Sequence, residues 1–261
     1  MSSAASGGPK VVILAGGRGT RISEETHAIP KPMVMIGGRP IIWHIMNHYA
    51  RYGFNDFVIA CGYKGYVIKE YFTNYLRHQS DVTVNLSSGA TTVLSGHSEN
   101  WTVTLADTGA ESMTGGRIRR LRPFLDERFL LTYGDGLSNV PIDRLVARHE
   151  EAGATVTVTA VSPPPRFGAL EIANGRVRRF AEKPSDPHDR INGGYFVVEP
   201  GIFDLLTGDD CVFEAEPLSL LARSGDLTAY VHDGFWMAMD TVRERDVLNA
   251  LAQEDMPPWT T

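Results

Sequence analysis

Strand-length runs of Val, Ile, Leu and Ala alternate along this chain with longer segments of helical period, and that alternation restricts the fold more than any other feature. The runs are VVILA at 11–15, DFVIA at 56–60, VTLA at 103–106, FLLTY at 129–133 and TVTVTAV at 155–161. Between them, Pro40 stands where a first helical turn tolerates it, and Ile41, Ile42, Ile45, Met46 and Tyr49 recur at helical spacing before Gly53. Residues 66–77, 115–125 and 143–153 read as further helices. Short apolar runs separated by helices are the pattern of βαβ units, hence of a mostly parallel sheet with helices on its faces. Beyond Pro163 the pattern changes: GALEI, RVRRFAEK and INGGYFVVEP are strand-like and closely joined, which predicts antiparallel additions to the main sheet. Residues 87–100 are polar and read as a loop.

The chain has 261 residues, enough for one large domain, and no apolar run approaches the ~20 residues of a membrane span. Residues 1–9 are small and polar, without the basic start and apolar centre of a secretory signal, and read as a disordered tail before a single domain over 10–261. Cys61 and Cys211, far apart and in no C-x-x-C spacing, indicate neither a zinc site nor a disulfide framework, so the cytoplasm is the expected compartment. A net charge of −6 with no basic arm argues against nucleic acid as a partner, because neutralising a phosphate backbone needs clustered Lys and Arg. A small anion held by a few well-placed cations is compatible with it.

Open parallel sheets bind ligands beyond the carboxyl ends of their strands. Four loops there are rich in glycine and charge. In AGGRGTR, Gly16, Gly17 and Gly19 let the backbone approach a phosphate, and Arg18 and Arg21 add charge. The stretch is neither a P-loop, which needs Lys-Ser/Thr after its last glycine, nor a dinucleotide fingerprint. Lys31 lies between Pro30 and Pro32, which predict an extended segment presenting a fixed point charge. Asp135 stands between Gly134 and Gly136 at a strand tip, suited to a hard cation such as Mg²⁺. Asp240 reads either as a second such acid or as a helix N-cap. Lys183, Asn192, Gly193 and Gly194 supply a cation, an amide and exposed backbone of the kind that recognises sugar hydroxyls and a sugar phosphate. His44 and His48 have a metal-helix spacing, but there is no H-E-x-x-H and both fall on the polar side of the helix, so no metal role is assigned. GHSEN at Gly96 lacks the last glycine of a nucleophile elbow.

Taken in order, LAGGRGTR, PKPM, YGDG, FGAL, EKP and INGGYF resemble the sugar-1-phosphate nucleotidyltransferase family, and the resemblance runs from Lys10 to about Trp259. It implies a Rossmann-like fold with a small added β region, Mg²⁺ as cofactor, and a cytoplasmic homo-oligomer, a hexamer. Finer stretches such as DTGAESMTGGR, RFGALEI and GFWMAMDT imply CTP and glucose 1-phosphate as substrates, with CDP-glucose and pyrophosphate as products. By position, Leu14, Ala15, Gly16, Gly17, Arg18, Gly19, Thr20, Arg21 and Lys31 would hold the nucleotide phosphates. Thr108, Gly109, Gly116 and Arg117 would line the base and ribose, with Gly134 and Asp135 beside them. Tyr133, Gly168, Glu182, Lys183, Asn192, Gly193 and Trp236 would surround the sugar phosphate. Asp135 and Asp240 would meet at one metal ion, and Lys31, Arg21, Lys183 and Asp135 would carry the chemistry. Residue types do not settle the base, so transfer of a thymidylyl or uridylyl group stays open here, as does a non-catalytic nucleotide-sugar-binding regulator.

Overall fold

The computed structural model describes residues 8–19, 29–96, 98–162, 169–173, 176–181 and 190–260. In chain order, β1 (Lys10–Ala15) is followed by a 3-10 turn at Lys31–Met33 and a small ribbon of β2 (Met35–Ile36) and β3 (Arg39–Pro40). Helix α1 (Ile41–Arg51), β4 (Asp56–Cys61), α2 (Gly65–Thr73) and α3 (Tyr75–His78) come next, then β5 (Ser80–Val84), β6 (Thr91–Gly96), β7 (Thr102–Asp107) and α4 (Thr114–Arg120). They lead to β8 (Phe129–Tyr133), β9 (Gly136–Ser138), α5 (Ile142–Ala152) and β10 (Val156–Val161). The chain continues through β11 (Ala169–Ala173), β12 (Arg176–Ala181), β13 (Ile191–Val198), α6 (Glu216–Ser224), β14 (Leu227–His232), β15 (Trp236–Ala238) and α7 (Val242–Leu251).

Seven strands form the main sheet in the order β14-β10-β13-β8-β1-β4-β7. Every pairing in it is parallel except those of β13, which runs against β8 and β10. Because β1, β4, β7 and β8 all end at one edge, the glycine-rich loops that follow them gather there. Reversal of β13 brings its first residues to that same edge. The central strands β1, β4 and β8 are buried on both faces, with Ile13, Ile59 and Leu130 in one cluster and Val12, Val58 and Leu131 in the other, which is why they read as continuous apolar runs.

Three expectations are corrected. Residues 87–100 are not a plain loop: Thr91–Gly96 is a strand paired antiparallel with Ser80–Val84, its threonines supplying β-branched stiffness where hydropathy gave no signal. Of the additions beyond Pro163, only β13 enters the main sheet, while β11 and β12 pair with each other as a separate ribbon. His48 lies on the buried face of α1, not its polar side. Its Nε2 is 2.9 Å from the Val140 carbonyl, and Nδ1 accepts from Arg51 at 3.2 Å.

Burial first, then the neighbouring Arg51 charge, pull His48 down to about 4. An unfolded imidazole titrates near ~6.5. Between those values the unfolded chain binds the proton and the folded chain does not, so stability should fall as pH drops from about 6.5 toward 4. Thermal unfolding scanned across that range should show a declining midpoint, and the decline should be shallower in His48→Gln. An equally steep decline in that variant would remove His48 from the account.

Candidate active site

The glycine loop after β1 is built around a buried guanidinium. Arg117, from α4 and 5% exposed, donates from Nη2 to the Gly16 carbonyl at 2.9 Å. Its Nη1 donates to Thr108 Oγ1 at 2.9 Å and to the Gly109 carbonyl at 2.7 Å. The guanidinium lies flat against Gly16 and Gly62, and a Cβ on either would overlap it. One side chain therefore ties together the ends of β1, β4 and β7. Burial depresses its affinity for the proton, chiefly by desolvation, with Arg120 adding repulsion, yet a guanidinium stays charged at neutral pH. The loop's backbone thus sits above a fixed positive charge held by carbonyl oxygens.

Above the loop opens a cleft of about 470 Å³, lined among others by Gly16, Gly17, Arg18, Lys31, Tyr133 and Asp135. Arg18 pairs with Glu111 and both are exposed, so that pair contributes little and can be given up to an anion. Lys31 is 8% exposed at the floor. The proline-flanked segment departs from the extended form expected: Pro30 is extended, but Lys31–Met33 makes a 3-10 turn, which Pro32 tolerates in its first positions. Pro32 packs against Gly134, where a Cβ would come within 2.8 Å of its ring.

Two acids from distant parts of the chain meet at Lys31. Nζ lies 2.6 Å from Asp135 Oδ2 and 2.8 Å from Asp240 Oδ1. Their meeting follows from strand register: β9 and β15 pair antiparallel with Gly136 opposite Ala238, and Met239 N donates to the Asp135 carbonyl at 2.8 Å. Asp240 is not the cap of α7. Thr241 fills that role, in a capping box with Glu244, which leaves the Asp240 carboxylate for Lys31. Burial lowers the proton affinity of the Lys31 ammonium, but Asp135 and then Asp240 outweigh it and the net direction is upward.

Beside these groups, Tyr133 ends β8. Its hydroxyl donates to Glu214 and accepts from Asn192 Nδ2 at 3.1 Å. Gly194 has φ +79° and a Cβ there would lie 2.6 Å from the Tyr133 ring, so that packing needs glycine, while a Cβ on Gly193 would press on Val161. Trp236 Nε1 donates to the Gly193 carbonyl at 2.7 Å.

Among the residues expected from sequence, Leu14, Ala15, Gly16, Gly17, Arg18, Gly19, Lys31, Arg117, Tyr133, Gly134, Asp135 and Asp240 line this cleft, and Asn192, Gly193 and Trp236 lie at its Tyr133 side. Thr108 is fully buried beneath it, bonded to the Cys61 carbonyl and to Arg117. Gly109 gives its carbonyl to Arg117 at φ +85°. Gly116 turns away, against the backbone of Asp209, where it permits close packing. Thr20, Arg21, Gly168, Glu182 and Lys183 lie outside the described residues. Sequence reasoning missed Glu214, which reads as one more acid just before the Glu216-Pro217 start of α6, and Ser112 to Thr114, which were visible only as part of a glycine-rich loop.

Oxygen donors from Asp135 and Asp240 at one point fit a hard cation, and among the described residues no third acid, histidine or cysteine joins them. The remaining ligands of such an ion would come from phosphate oxygens and water.

Residues 10–238 match the family model described as nucleotidyl transferase. The chain is 51% identical over 254 residues to the glucose-1-phosphate cytidylyltransferase of Salmonella typhimurium, covering 97% of this chain and 99% of the relative. In fold it is similar to HddC from Yersinia pseudotuberculosis, with a TM-score of 0.65 at 21% identity, covering 93% of this chain and 98% of that one. It is also similar to the inositol-1-phosphate CTP transferase from T. maritima, with a TM-score of 0.63 at 16% identity over 96% and 98% of the two chains.

Arg117→Lys keeps the charge under the loop and loses the planar fork. The denaturant midpoint should fall by the equivalent of about 1.5–3 kcal/mol, the range for hydrogen bonds from a charged group. An unchanged midpoint would mean that the fork does not hold the three strand ends together.

Proposed function

The chain belongs to the nucleotidyl transferase family, and from that premise we propose that it transfers a cytidylyl group from CTP to glucose 1-phosphate, giving CDP-glucose and pyrophosphate. The observation that carries this reading is the 51% identity to a glucose-1-phosphate cytidylyltransferase across nearly the full length of both chains. The site supplies the chemistry. A phosphate oxygen of the sugar phosphate attacks the α-phosphorus of CTP; the new P–O bond forms as the bond to the β-phosphate oxygen breaks, and pyrophosphate departs in line.

Such a displacement asks for positioning and charge stabilisation, and no Ser or Cys nucleophile is needed. Backbone N–H groups of Gly16 and Gly17 receive the triphosphate over the buried Arg117 charge, and Arg18 leaves Glu111 for it. Lys31 meets the reacting phosphate as a point charge from a floor that holds it nearly out of water, where electrostatic stabilisation is worth most. Asp135 and Asp240 would hold Mg²⁺, which would supply positive charge against the developing charge of the phosphates. By the family resemblance, Arg21 steadies the departing pyrophosphate, while Gly168, Glu182 and Lys183 hold the acceptor. Tyr133, Asn192, Gly193 and Trp236 bound the sugar. The net charge of −6 is no obstacle, because salt screens the distant acids within about 10 Å while the cleft's cations act at contact. The same reading makes the enzyme cytoplasmic and a homo-oligomer, a hexamer.

Lys31→Ala and Asp135→Ala should each cut kcat by about 10²–10³-fold, the scale of losing one preorganised charge at a transition state. Pyrophosphate release at saturating CTP and glucose 1-phosphate measures it. Near-wild-type turnover in either variant would overturn the roles assigned to them.

A further inference from the structure

Glu214 takes part in no step described so far, yet it joins the two halves of the cleft. One carboxylate oxygen accepts from the Tyr133 hydroxyl; the other accepts from Thr114 Oγ1 at 2.6 Å, at the start of α4. The segment leading to it is locked in place. Met113 N donates to the Asp209 carbonyl at 2.7 Å, Gly116 N to that of Cys211 at 3.1 Å, and Phe213 N to Thr114 Oγ1 at 2.9 Å. Arg120 grips Asp209 with two bonds, at 2.8 and 2.5 Å. Glycines at 115 and 116 allow this approach, since a Cβ on either would overlap Cys211 or Asp209. The carboxylate is thus held in place against the Tyr133 hydroxyl.

A phenol has one proton and two acceptor lone pairs, and a carboxylate can only accept. Bonding to Glu214 therefore commits the Tyr133 proton to that carboxylate, so it is not offered to a ligand. The amide of Asn192 is oriented independently: its Oδ1 accepts from Gly194 N at 2.8 Å, which turns the NH₂ toward the phenol oxygen. With that bond made, one lone pair of the phenol oxygen is left to accept, and Tyr133 lines the cleft. It can receive a bond from a sugar hydroxyl, and it repels the acceptor-only oxygens of a phosphate.

We propose that Glu214 is a positioning residue that fixes Tyr133 as a hydrogen-bond acceptor toward the cleft, so that Tyr133 reads a ring hydroxyl of the acceptor sugar and turns the sugar's phosphate elsewhere. This rests on the reaction proposed above. Glu214→Gln would place an NH₂ where a carboxylate oxygen stood, let the phenol proton turn into the cleft, and reverse the polarity.

The test uses glucose 1-phosphate and its 2-, 3-, 4- and 6-deoxyfluoro analogues, since fluorine cannot donate. kcat/KM and calorimetric binding in the presence of CTP are read for wild type, Glu214→Gln, Tyr133→Phe and the double variant. In the wild-type enzyme one ring position should carry a penalty of about tenfold on fluorination, the scale of one hydrogen bond to a polar partner. That penalty should disappear in Glu214→Gln and in Tyr133→Phe, with the double variant no different from Tyr133→Phe alone and KM for CTP within about twofold throughout. If Glu214→Gln does not fold, Glu214→Asp, which keeps the charge and shortens its reach, should also lose the penalty. An active wild-type enzyme whose fluorine penalties persist unchanged in these variants, or whose variants lose activity equally on every analogue, overturns the role of Glu214. A wild-type chain inert toward CTP and glucose 1-phosphate overturns the reaction instead.

Discussion

The buried fork of Arg117 is the interaction on which the rest of the site depends. Loops after parallel strands are free to diverge, and a phosphate cradle needs them held close with their N–H groups outward. Here a single guanidinium accepts that task by bonding to Gly16, Thr108 and Gly109 at once. The glycines at 16 and 62 follow from it, because the guanidinium occupies the space where their side chains would stand. Its charge is compensated mainly by carbonyl dipoles, which leaves a positive field under the loop. Thus the interaction that fixes the local fold is also the one that makes the loop attractive to an anion.

A second constraint is topological. Within the main sheet, among the described residues, only β13 runs against its neighbours, and that reversal delivers Asn192 to Gly194 beside the end of β8. The ribbon of β9 and β15 then delivers Asp240 to Asp135, more than a hundred residues away in sequence. Lys31 completes the group from a third direction. Two carboxylates facing one another would repel, and the shared ammonium stabilises their approach; each group is therefore held in readiness by the others.

Much of this was legible in the chain. Apolar runs such as VVILA and FLLTY announced buried parallel strands, and the glycines after them marked the edge where ligands bind. What periodicity could not provide was long-range pairing: nothing local says that Asp240 faces Asp135, or that Thr241 rather than Asp240 caps the last helix. Hydropathy hid β6, where Val93 and Leu94 stand among Thr, Ser and Gly, and placed His48 on the wrong side of α1, because an imidazole that finds a carbonyl partner can be buried. Glu214 was invisible for a related reason. Its importance lies in which donors reach it, and those come from Tyr133 and Thr114, 81 and 100 residues away.

The central claim is that the cradle over Arg117 and the cluster at Lys31 together activate CTP toward a sugar phosphate. The most direct measurement supplies CTP, UTP, dTTP and GTP separately with glucose 1-phosphate and Mg²⁺, and separates the nucleotide-sugar products by chromatography. The account predicts CDP-glucose with pyrophosphate in equal amounts, and kcat/KM for CTP at least about tenfold above the other three, as expected of a pocket that hydrogen-bonds its base. Equal or faster turnover of another nucleotide, or binding of CTP with no product, would contradict it.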